Sequence, residues 1–72
     1  MEGKVKLANS QGFGFIETDM GIDFFFHHTK FQGNWKELLG CMVKGKVVNV
    51  TFDVDDTAVE PRAINVCEVK CG

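Results

Sequence analysis

Apolar and polar residues alternate along most of this chain with a period of two, the spacing of strands that bury one face. Lys4-Val5-Lys6-Leu7 opens the pattern as a half-buried strand, and Asn9-Ser10-Gln11-Gly12 follows as a turn. A second strand runs from about Phe13 to Thr18. Asp19-Met20-Gly21 reads as a tight hairpin loop in which Gly21 is free to take positive φ. A third strand, from about Ile22 to His27, completes an antiparallel meander. Beyond Lys46, the residues Val48, Val50, Phe52 and Val54 alternate with Val47, Asn49, Thr51 and Asp53, a strongly β-branched fourth strand. Asp53 to Thr57 supplies an acidic turn. Ala63 to Val69 gives the fifth strand, with Pro61 ahead of it where a missing N–H does no harm.

The pattern changes only between Thr29 and Lys46. There Gly33-Asn34 marks a turn, Trp35 to Leu39 has the composition of one helical turn, and Gly40 is expected to end it. Five short strands with one long connection between the third and fourth predict an all-β fold, a small closed or partly open antiparallel barrel. Curling the sheet removes edges that would otherwise invite aggregation.

Phenylalanine placement adds a functional signal. All seven fall between Phe13 and Phe52, and five lie in two runs, Gly12-Phe13-Gly14-Phe15-Ile16 and Phe24-Phe25-Phe26-His27. Strand alternation puts Phe13 and Phe15 on one face together with Glu17, a residue that belongs in water. Any one of these rings is by itself most simply a core residue. Two spaced rows of aromatics, one ending in a carboxylate, instead suit stacking on unpaired nucleic-acid bases.

Composition bounds the alternatives. At 72 residues with 44% hydrophobic and 25% charged residues, the chain reads as a single folded domain spanning 1–72. Such a domain buries only about 60% of its unfolded surface, too little for a core plus an elaborate active site. The net charge of −2 excludes a histone-like polycation. The excess acid lies in residues 37–72, away from the phenylalanine rows, so a ligand held mainly by stacking is compatible with it. Three cysteines (Cys41, Cys67, Cys71) and no apolar run of membrane length suggest free thiols in a reducing cytoplasm. Cys67 and Cys71 lack the ligand spacing of a zinc site, so no metal or cofactor is expected. His27 and His28 near Asp23 come with no nucleophile, and Asp55-Asp56 reads as a solvated turn; catalysis is not expected.

Motif by motif, the chain resembles the cold-shock domain family over nearly its whole length. Glu2-Gly3-Lys4-Val5-Lys6 resembles the family's opening and Asn9-Ser10 its first turn. Gly12-Phe13-Gly14-Phe15-Ile16-Glu17 and Asp23-Phe24-Phe25-Phe26-His27 are similar to its two ribonucleoprotein motifs, and Pro61-Arg62-Ala63-Ile64-Asn65-Val66 to its closing strand. The resemblance implies a five-stranded antiparallel OB-fold barrel that binds single-stranded RNA or DNA. Carried over by position, Phe13, Phe15, Phe25 and His27 would stack on bases, with His28 and Trp35 as further aromatics. Lys6, Asn9 and Asp23 would flank the face, Arg62 would join from the closing strand, and Phe24 and Phe26 would point inward with Val5 and Ile16. The implied role is RNA chaperoning, antitermination or translation control by a cytoplasmic monomer or weak dimer; the alternative is an OB-type protein-interaction module with weakened nucleic-acid binding.

Three departures from the family pattern bear on this. Lys-Trp-Phe-Asn reads Lys6-Leu7-Ala8-Asn9, removing two aromatics, and Gln11 replaces a lysine. The inward valines of the second motif are Phe24 and Phe26, whose extra volume Ala8 is expected to accommodate. The segment from Trp35 to Lys46 is several residues longer than usual, which costs little in loop-closure entropy. A narrower stacking surface and a shorter footprint are expected.

Overall fold

In the computed structural model, residues 1–69 are described. They form β1 (Glu2–Ala8), β2 (Phe13–Glu17), β3 (Asp23–His27), a 3₁₀ turn (His28–Lys30), β4 (Phe31–Gln32), α1 (Trp35–Val43), β5 (Asn49–Val54) and β6 (Ala63–Glu68). Cys71, considered above with Cys67, lies outside this range. All five expected strands are present. The β2–β3 hairpin closes where expected, the Thr18 N–H donating to the Ile22 carbonyl at 3.1 Å and Gly21 taking φ +75°.

The sheet runs β3-β2-β1-β5-β6-β4 and is not closed. It carries a sixth strand that alternation does not reveal: β4, two residues long, pairs parallel to β6 through Phe31↔Val66 and Gln32↔Cys67. So short a strand shows no period; it pairs with β6 and buries Phe31. The far edge, β3, meets the chain entering β6 at a single parallel bridge, Phe25↔Arg62.

The helix also differs from the sequence-based expectation. Gly40 does not end it; α1 continues to Val43 and stops at Gly45, whose φ is +73°. Gly45 N–H donates to the Met42 carbonyl at 3.1 Å and Lys46 N–H to the Cys41 carbonyl at 3.0 Å, the paired bonds of a Schellman cap. At the other end Asn34 Oδ1 accepts from the N–H groups of Lys36 at 2.9 Å and Glu37 at 3.3 Å. Leu38 is buried, and Trp35, Cys41 and Met42 pack against the core from the same face of the helix. Gly40 lies on the exposed side, where an added methyl would meet nothing within 4 Å. Gly40→Ala is therefore expected to raise stability by about 0.5–1 kcal/mol, because alanine loses less backbone entropy in a helix. A urea titration checks this, and a lower midpoint would contradict it. Among the described residues no helix is long and apolar enough to cross a membrane.

Val5, Ile16, Phe24 and Phe26 all point inward, as expected, and are buried. Phe24 packs on Phe52 at 5.1 Å between centroids; Phe26 meets Trp35 at 5.6 Å and Phe31 at 6.3 Å. Direct room for Phe26 is found at Gly14, where a Cβ would stand 2.8 Å from its ring and 2.5 Å from the Leu7 carbonyl. Ala8, the register partner of Gly14, packs half-buried against the same core.

Candidate nucleic-acid interface

The β2–β3 register lays out one outward face. Phe13↔His27, Phe15↔Phe25 and Glu17↔Asp23 are directly paired, while Gly14↔Phe26 and Ile16↔Phe24 alternate with them and face the core. The outward rings touch: Phe13 and Phe25 are stacked at 5.9 Å and 28°, and Phe15 meets Phe25 edge-on at 5.7 Å. All three are half-buried, so they hold one another in place and still offer ring surface to solvent.

A bulge widens this face. Strict alternation in β1 would send Leu7 inward with Val5. Instead the β1–β2 register shifts between Val5 and Leu7, placing Leu7 opposite Phe15. Leu7 is consequently 45% exposed. With Lys6, Phe15 and Asp23 it lines a shallow cleft of about 360 Å³. The first strand thus contributes an aliphatic contact where the related pattern has an aromatic one. No regularity of the sequence announces the bulge.

The row continues past β3. His27 Nδ1 accepts from the Thr29 N–H at 3.3 Å and lies 2.9 Å from the Thr29 hydroxyl, so the neutral ring carries its proton on Nε2. His28 lies 4.4 Å from His27 between centroids. It sits directly over Gly12, where any Cβ would collide with its ring. Thr29 and Gly12 are thus positioning residues that the aromatic pattern alone does not pick out. Trp35 comes within 6.2 Å of His28, but its indole is largely engaged elsewhere. It packs edge-on against Phe26 and Phe31, and its N–H donates to the Asn9 carbonyl at 2.9 Å. Only its half-exposed remainder adjoins the row.

The polar candidates divide into two groups. Asn9 builds the turn that aims Phe13: its Oδ1 accepts from the Gln11 N–H at 3.0 Å and the Phe13 N–H at 3.5 Å. Lys6, by contrast, lies on the face and bonds Asp23 at 3.1 Å, with Glu17 at 3.8 Å. These groups are exposed, so the ion pairs add at most about 1 kcal/mol to stability. They do leave the β1–β3 face with one acid in excess. Arg62 redresses this, its guanidinium carbon lying 5.6 Å from the Phe25 centroid.

Asp55 lies close by in the chain, its N–H donating to the Arg62 carbonyl at 2.9 Å. The Thr57 hydroxyl, donating at 2.6 Å, chiefly holds the Asp55 carboxyl below its ordinary value of 3.8, helped by the Thr57 N–H and by the charges of Arg62 and Lys30. A carboxyl whose pKa is lower folded than unfolded contributes stability above the unfolded value, and loses it as pH falls through the folded one. Thr57→Val should therefore bring the Asp55 titration back towards 3.8 in a carboxyl-carbon NMR experiment. An unmoved midpoint would show that the hydroxyl is not the cause.

Among the described residues no group of three or more His, Cys, Asp or Glu side chains is placed to hold a metal ion. The site is an outward surface of touching, half-buried aromatic rings. The cold-shock DNA-binding domain family model matches residues 1–69. Cold shock-like protein CspC of Bacillus cereus is 39% identical over 70 residues, covering 96% of this chain and 100% of the relative. Major cold shock protein of Streptococcus pyogenes serotype M18 is 35% identical, covering 94% and 96%. Cold shock-like protein CspC of Shigella flexneri is 38% identical, covering 96% of each. With this match over its length and a sheet that carries the aromatic row, the chain belongs to the cold-shock domain family of non-enzymatic nucleic-acid-binding proteins.

Proposed function

We propose that the protein binds single-stranded RNA or DNA by stacking unpaired bases on Phe13, Phe15, Phe25 and His27, and so acts as an RNA chaperone, antiterminator or translation regulator. The observation that carries this reading is the outward row on β2 and β3, whose phenylalanine rings lie 5.7–5.9 Å apart and remain half-exposed. Single strands gain roughly 1–3 kcal/mol per stacked base, enough to compete with the pairing in weak hairpins without nucleotide hydrolysis. His28 and the exposed part of Trp35 lengthen the row at one end. Leu7 supplies apolar contact but no ring at the other, which shortens the stacking footprint. Asn9 sets the turn, Lys6 and Asp23 border the cleft, and Arg62 offers the face a cation. Cys41 and Cys67 are free thiols, consistent with work in a reducing cytoplasm.

The rival reading, an OB-type module for protein contacts, draws on Leu7 and on the two acids, Glu17 and Asp23, that share Lys6. Chemical-shift mapping with a short single-stranded pyrimidine oligonucleotide separates the two. The expected result is saturable shifts at Phe13, Phe15, Phe25 and His27, with β5 and the outer side of α1 unmoved. An absence of shifts at tens of micromolar would favour the rival.

A further inference from the structure

Arg62 combines a fixed backbone with an uncommitted side chain. Phe25 N–H donates to the Pro61 carbonyl at 3.0 Å and Asp55 N–H to the Arg62 carbonyl at 2.9 Å, so the Arg62 main chain is held beside β3. The side chain is exposed, and the ion pairs found among the described residues involve Lys6 rather than Arg62. Asp55, the carboxylate that feels the charge of Arg62, already accepts two bonds from Thr57. The guanidinium is left over Phe25, the one ring that both Phe13 and Phe15 touch.

A base laid on Phe25 must meet this cation. If the guanidinium were simply expelled, the outer face of the base would stay in water, and a polyanion would face the acid excess left by Lys6, Glu17 and Asp23. An exposed cation–π contact is weak, so little resists lifting the guanidinium from the ring. A planar guanidinium, like an aromatic ring, can stack on the face of a base. The anchored main chain keeps it within reach.

We propose that Phe25 and Arg62 are the two walls of a slot for one unpaired base, the guanidinium lifting from the ring and closing on the outer face of the base. The slot rests on the reading that this face binds single strands. It makes Arg62 a determinant of affinity through its flat shape, and not merely through its charge.

The test compares wild type, Arg62→Ala, Arg62→Lys and Phe13→Ala, titrated into a fluorescein-labelled single-stranded oligonucleotide at several salt concentrations. Circular dichroism confirms folding, which an exposed side chain should not disturb. The slot predicts that Arg62→Ala binds about tenfold more weakly. Arg62→Lys should be nearly as weak while keeping the salt dependence of wild type, because lysine retains the charge and loses the plane. Full rescue by lysine would reduce Arg62 to a phosphate contact and overturn the slot. Tighter binding by Arg62→Ala would make the guanidinium a displaced lid, and unchanged binding would leave it no role; either overturns the slot. In each of these cases wild type binds and Phe13→Ala weakens it, so the stacking face stands. Failure of wild type itself to bind overturns both.

Discussion

Replacing Phe13 and Phe25 together with alanine is expected to weaken binding of a single-stranded oligonucleotide by roughly thirtyfold or more while the domain remains folded. Each ring lost from a base platform costs roughly 1–3 kcal/mol, and here the two are stacked on one another at 5.9 Å. Their effects will not simply add, since removing either frees the other to move. Phe25 also supports Arg62 and meets Phe15, so its loss unsettles the centre of the row. Neither ring belongs to the buried cluster that holds the domain together, so the thermal midpoint should fall only modestly. Fluorescence anisotropy gives the affinity and circular dichroism the fold. A folded double variant within threefold of wild type would show that the ligand binds elsewhere.

The second large effect is on stability. Phe26→Ala should cost about 3–5 kcal/mol, a major part of what a domain of this length possesses. Phe26 is fully buried, and three features converge on it: the Trp35 and Phe31 rings, and the space kept clear by Gly14. The backbone of β2 is fixed by its pairing with β1 and β3, and Trp35 is tied by its N–H to Asn9. The site therefore cannot collapse onto the missing ring. For a domain of this size each kcal/mol moves the melting midpoint by roughly 4–8 °C, so a fall of at least about 12 °C is expected. A fall under about 5 °C in a calorimetric scan would mean that neighbouring side chains had refilled the cavity. Alignment of the aromatic face depends on the same packing, because β2 and β3 carry Phe26 and Gly14 on one side and the stacking rings on the other.

What the sequence reveals follows from how local each feature is. Strand alternation divides the second phenylalanine run into two faces, and the family resemblance implies which is outward; Phe25 and His27 do face out and Phe24 and Phe26 in, because β3 is regular from Asp23 to His27. It fails at β1, where a bulge decided by strand pairing turns Leu7 outward. It fails again at β4, which exists because a distant strand, β6, accepts it. Two glycines five positions apart compete to end α1. Gly40 lies on an exposed helical face and is tolerated, while Gly45 takes the left-handed conformation that stops the chain. Trp35 shows the limit for the site itself. Sequence marks it as an aromatic near the ligand, but the bond to Asn9 and the contacts with Phe26 and Phe31 make it largely a structural residue. The position of Arg62 over Phe25 is equally non-local, being set by one bridge between residues far apart in the chain.

On the proposed reading, the β2–β3 face grips unpaired bases through their flat surfaces. The most direct measurement is a pair of anisotropy titrations, at one salt concentration, with a labelled single strand and with the same strand annealed to its complement. Stacking predicts saturable binding to the single strand and at least tenfold weaker binding to the duplex, whose bases already stack on each other. Equal affinity for the two would mean that the backbone is the ligand and that the aromatic row is not the binding surface.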